Sequence, residues 1–174
     1  GDRVLVNPLN KKKGLMGEML DGGMAEYCLV AADQLVAMPD GVTFHTVRMP
    51  LHAPGHGTTI DTVAQDIAAK AGELTPAGVD VVAYACTAGS MVTPPDSLCQ
   101  AASALAGVPI VTTAAAIVAA LRSLGARRLS IATPYHDALN DHEVAFLEAA
   151  GFQVLAIAGL GIGANGPSDY PRIA

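Results

Sequence analysis

Between Val79 and Ala158 short apolar runs alternate with stretches of helical periodicity, and few folds accept such an alternation. The apolar runs are Val79–Ala85, Val108–Thr112, Leu129–Thr133 and Gln153–Ala158. Between them the spacing predicts helices over about 95–106, 114–124 and 138–150, the last ending at Gly151 as its C′ residue. Upstream, Val42–Met49 reads as a strand. After it, Ile60, Val63, Ala64, Ile67, Ala68 and Ala71 fall 3, 4, 7, 8 and 11 residues from the first, the spacing of one face of a helix. Thr58 or Thr59 can cap that helix, and Gly72 or the Thr75-Pro76 pair can stop it. Strands separated by helices of this length pair in parallel through right-handed crossovers, and such a sheet binds its ligands at the carboxyl ends of its strands. The expected fold class is therefore α/β, a parallel sheet with flanking helices.

That rule directs attention to VDVVAYACTAGS, residues 79–90, where a strand delivers Cys86 to a turn that opens a helix. Free backbone N–H groups and the helix dipole favour anions at such a mouth, and they lower the pKa of a thiol placed there. Cys86 is thus a candidate thiolate beside a bound carboxylate. The alternative is a core cysteine that packs as a small hydrophobe at the end of a buried strand. Tyr135 and the loop near Asn165 lie at the ends of later strands.

Composition narrows the partners. Of 174 residues 51% are hydrophobic and 15% charged, which provides a core, and the formal net charge is −6 with only ten Lys and Arg. Neither a nucleic-acid surface nor an anionic membrane surface is expected, and Lys11–Lys13 is too short a basic run to alter that. No apolar run reaches membrane-spanning length. Cys28, Cys86 and Cys99 are odd in number and lack CxxC spacing, so neither a disulfide framework nor a zinc site is suggested, and a reducing cytoplasm is the expected location. The chain lacks an initiator Met and stops at Arg172-Ile173-Ala174, which reads as the start of a helix, so a fragment is expected at both ends.

Residues 1–44 have a different texture. Arg3–Asn7, Ala25–Ala31 and Gln34–Met38 read as short strands separated by Gly and Asp turns. The phrases GDRVLVNP and GGMAEYCLVAADQLVAMPDGVTF resemble a segment of the catalytic domain of medium-chain zinc alcohol dehydrogenases, which has a GroES-like fold. The chemistry of that family is absent: the structural-zinc loop would fall near Lys11–Leu20, which holds no cysteine, and Gly159–Gly163 is not GxGxxG. Cys28 is read as a packed residue.

From about residue 39 to 165 the phrases PDGVTFHTVRMP, GVDVVAYACTAGS, GVPIVTTAAAIVAALRSLGARRLSIATPY and GLGIGAN resemble the aspartate/glutamate racemase superfamily. The likeness is nearest to its maleate cis–trans isomerase and arylmalonate decarboxylase branch. It implies a racemase-like α/β domain, incomplete here, over 45–174, preceded by a short GroES-like β segment over 1–44. The activity implied is cofactor-independent and acts on a small carboxylic acid, and a homo-oligomer is allowed. Maleate isomerisation is the first reading. Arylmalonate-type decarboxylation or amino-acid racemisation is the alternative within the superfamily, and a zinc/NAD-dependent dehydrogenase fragment or a non-catalytic module lies outside it.

The resemblance assigns Cys86 as the catalytic cysteine, acting as nucleophile or as acid and base at carbon. It gives Thr87 a carboxylate-binding role against that of a simple N-cap, and Tyr135 a hydrogen bond to substrate against packing under the turn. Asn165 sits where the family has a substrate-binding asparagine, although Gly166-Pro167-Ser168 departs from the usual pattern. The superfamily's opening Pro-Ser-Ser-Asn-type loop has no counterpart, and its second catalytic cysteine would come beyond Ala174, so the expectation is an enzyme impaired by truncation. Cys99, inside the helix after Cys86, is read as core. His52 and His56 have a spacing that suits a metal, but no third ligand stands nearby and no metal is expected. His136 starts a helix, while His45 and His142 read as ordinary strand and helix-surface residues.

Overall fold

The computed structural model describes residues 4–6, 9–10, 14–15, 35–37, 40–49 and 59–162. The chain divides into two compact units, Gly1–Phe44 with Ile162–Ala174, and His45–Gly161.

In the first unit β1 (Val4–Val6) pairs antiparallel with β4 (Leu35–Ala37), Leu5 facing Val36. A smaller antiparallel pair, β2 (Leu9–Asn10) with β3 (Gly14–Leu15), was not foreseen from the sequence. Val42–Met49 is not a strand: these residues have no regular structure, and Val42 and Phe44 are exposed. A segment rich in Val and Thr alone makes no strand, since its propensity is realised only when it pairs in a hydrogen-bond ladder.

The second unit begins with α1 (Ile60–Leu74), and Thr59 is its cap. The Thr59 side chain accepts from the Thr62 N–H at 3.2 Å, and the Thr59 N–H donates to the Thr62 hydroxyl at 3.0 Å, a reciprocal box. Gly72 does not stop the helix. A 3₁₀ turn at Thr75–Ala77 follows, and Gly78 ends it in the left-handed region at φ 67°.

Then come β5 (Val82–Tyr84), the one-turn α2 (Thr87–Ser90), α3 (Ser97–Ala106), β6 (Ile110–Thr112) and α4 (Thr113–Ser123). β7 (Arg128–Tyr135), α5 (Asp137–Ala149) and β8 (Gln153–Ile162) complete the unit. β5 and β6 are parallel, Val82 facing Ile110 and Tyr84 facing Thr112. β7 and β8 pair as well, and the Gln153 N–H donates to the Arg127 carbonyl at 2.8 Å. The starts of these two strands therefore lie together, as parallel strands require.

Two cores fill this unit. The first joins Val63, Ala64, Ile67 and Ala71 of α1 to Tyr84, Leu98, Ala102 and Ile110. These are the positions that helical spacing marked on α1. The second gathers Met91, Ala114, Val118, Leu139, Phe146, Leu147 and Phe152. α2 stands between them: Cys86, just before it, packs on the first core, and Ala88 inside it packs on the second.

Candidate active site

β5 ends at Tyr84, and Cys86 follows in extended conformation (φ −132°, ψ 104°) as the N-cap of α2. The cap position therefore belongs to Cys86 and not to Thr87, which is the first residue of the turn. Both side chains are half-buried. Cys86 is a free cysteine placed at the carboxyl end of a parallel strand.

Ser90 holds this turn in place. Fully buried, its hydroxyl bonds the Cys86 carbonyl at 2.6 Å and lies 3.1 Å from the Thr87 carbonyl, and it accepts from the Ala114 N–H at 3.1 Å. One hydroxyl thus satisfies an orphan donor at the start of α4 and closes the turn that carries the thiol. A parallel tie comes from the Thr113 hydroxyl, which donates to the Tyr84 carbonyl at 3.3 Å. Thr112 caps α4 by accepting from the Ala115 N–H.

Tyr84 and Cys86 are two residues apart in extended chain, so their side chains leave the same face. They meet above Gly89. A Cβ built on Gly89 would lie 2.5 Å from the Tyr84 hydroxyl oxygen and 3.2 Å from Cys86 Sγ, closer to the oxygen than real Cβ atoms come. The Tyr84 phenol is held well above its ordinary pKa, first by burial and then by the charge and hydrogen bond of Cys86. It is therefore a protonated donor at neutral pH.

Tyr135 is the last residue of β7 and packs half-buried against the second core. Its N–H donates to the Thr133 hydroxyl at 3.1 Å, which itself donates to Asn140 Oδ1 at 2.6 Å, while Asn140 Nδ2 donates to the Tyr135 carbonyl at 3.4 Å. The side chain thus rises from a backbone fixed by two buried polar groups. Asn165 lies outside the described residues, as do Cys28, His52 and His56.

Two readings of other residues change. Cys99 is half-buried, with its thiol 3.5 Å from the Thr112 hydroxyl. His142 is not a plain surface residue: its Nε2 stands 2.9 Å from the Met91 carbonyl, so this nitrogen carries the hydrogen and ties α5 to the segment after α2. His136 occupies the N-cap position of α5 without a side-chain capping bond. Among the described residues no group of three or more His, Cys, Asp and Glu could hold a metal ion. None of their helices is long and apolar enough to cross a membrane.

Tyr84, Gly89, Ser90 and Asn140 were not singled out by the sequence. Only Tyr84 left a signal there, its two-residue spacing from Cys86 in a strand.

A family model described as arylmalonate decarboxylase matches residues 28–165, most of the chain. The chain belongs to the arylmalonate decarboxylase family. The match starts at residue 28 and not at 39, so this family takes in the later part of the segment that was read as dehydrogenase-like.

Maleate isomerase of Nocardia farcinica (strain IFM 10152) is 32% identical over 120 residues, 64% of this chain and 47% of the relative. That of Geobacillus stearothermophilus is 29% identical over 122 residues, with the same coverage. The family member described here spans about half the length of the curated relatives it matches. Among solved structures, a variant of the Nocardia farcinica maleate cis–trans isomerase with a covalently bound succinylcysteine intermediate gives a TM-score of 0.59 at 26% identity, over 69% of this chain and 52% of that one. A doubly substituted arylmalonate decarboxylase in liganded form gives 0.53 at 30% identity, over 59% and 45%. The α/β fold with short parallel sheets and flanking helices is thus that of the arylmalonate decarboxylase family.

Proposed function

We propose that this chain carries the Cys86 half of a cofactor-independent isomerase of small dicarboxylic acids, of the maleate cis–trans type. The observation that supports it most is the placement of a free, half-buried thiol at the end of a parallel strand, in a chain similar to an isomerase that holds succinate on a cysteine.

In this reading the Cys86 thiolate adds to one olefinic carbon of maleate. The S–C bond forms as the π bond breaks, and the electron pair passes to the neighbouring carbon, which takes up a proton to give a succinyl thioether. Rotation about the new single bond is free of the double-bond barrier. Loss of that proton and expulsion of the thiolate then give the trans diacid, with no net oxidation. Thr87, at the start of α2, and Tyr135, at the end of β7, serve as hydrogen-bond donors to the carboxylates. Asn165 is assigned to the same role on the family pattern alone.

Incubation with maleate while following fumarate tests the proposal. The chain should isomerise maleate, Cys86→Ala should lose turnover by at least ~100-fold, and mass spectrometry should find a succinyl adduct on Cys86 only in the parent. Equal rates in parent and variant would sink it. Arylmalonate decarboxylation is the second reading, supported by the family model itself, and carbon dioxide release from an arylmalonate is its readout. The division into an appended β segment over 1–44 and a racemase-like domain over 45–174, with a dehydrogenase ancestry for the former, is proposed as the history of the chain.

A further inference from the structure

The chemistry above uses the Cys86 thiol but leaves unexplained the phenol beside it. Tyr84 is 7% exposed, and its ring belongs to the first core. Its hydroxyl lies beside Gly89, at the same point that Cys86 Sγ reaches. Any side chain at residue 89 would take the space in which oxygen and sulfur meet. A buried phenol is costly without a partner, and a thiolate is an acceptor that lacks donors of its own.

We propose that Tyr84 is a positioning residue for Cys86: its phenol donates a hydrogen bond to the thiolate and fixes the sulfur at the mouth of α2, and Gly89 keeps open the space this requires. The phenol's persistent protonation fits a donor and not a competing anion. Of the neighbouring titratable groups, the Cys99 thiol of α3 contacts the Thr112 hydroxyl and His142 of α5 bonds the Met91 carbonyl. The catalytic meaning of this pair rests on the proposed role of Cys86, but the pairing itself can be read without turnover.

The test is peptide-resolved iodoacetamide labelling of Cys86 across pH in the full chain. Tyr84→Phe keeps the ring in the core and removes only the donor. It should slow Cys86 labelling at neutral pH by roughly tenfold, the scale of one charge-assisted hydrogen bond, and displace the rate profile to higher pH, while Cys99 labels at its parental rate. Gly89→Ala retains both groups but puts a methyl into the space where they meet, so it should act in the same direction. Parental Cys86 rates in Tyr84→Phe overturn the proposal, and in a Tyr84→Phe chain that fails to fold, parental rates in Gly89→Ala do so. Failure to isomerise maleate with labelling as expected would count against the proposed function and leave this pairing standing.

Discussion

Glu143 on α5 is half-buried, and its Oε2 is shielded from solvent without a hydrogen-bond partner. Burial raises its carboxyl pKa above the ordinary 4.5. The folded chain then binds this proton more tightly than the unfolded one does. Its contribution to stability is fully present below the ordinary carboxyl pKa, and it falls away as pH rises through the folded value. Glu143→Gln removes the ionisation, so urea midpoints followed from acid to neutral pH should decline less in the variant than in the parent. Identical pH slopes would contradict this account. At the same scale Cys86 was legible because a thiol after an apolar run is chemically conspicuous. Thr133 and Asn140 were not, because the bond between their side chains depends on α5 folding back beside β7, a closure that no local pattern announces.

The elements were legible where one segment's own periodicity decides them. The apolar spacing of α1 is written in the sequence, and so is its Thr59 cap. Replacing Thr59 by Ala removes the acceptor for the Thr62 N–H and should cost about 1 kcal/mol, read as a lower urea midpoint with unchanged slope. A loss below ~0.3 kcal/mol would mean that water replaces the cap at this exposed end. Elements set by partners were not legible. Val42–Met49 reads like a strand and forms none, whereas β8 extends to Ile162, beyond the Ala158 end its apolar run suggested. α2 was read only as a turn opening the next helix, because Thr, Gly and Ser are weak helix formers and this turn is closed by the Ser90 hydroxyl.

At the scale of the molecule, the second unit is two small cores joined at α2, and the α/β class followed from alternation alone because parallel crossovers leave few other ways to cover both strand faces. What alternation could not give is the linkage between those cores. Ser90→Ala strands the buried Ala114 N–H and unties α2 from α4, so we expect a loss of about 1–3 kcal/mol together with faster labelling of Cys86. A stable variant with parental labelling would show that packing of Met91 and Ala88 suffices to hold the turn.

The Ser90 hydroxyl has one more consequence. Because a single oxygen fastens the Cys86 carbonyl on one side and the Ala114 amide of α4 on the other, a fluctuation that lifts α4 from its core also loosens the backbone under Cys86. The sulfur thereby reports on a helix that begins 27 residues beyond it in sequence, at Thr113. A substitution that loosens α4 from its core should therefore change the rate at which a thiol reagent captures Cys86.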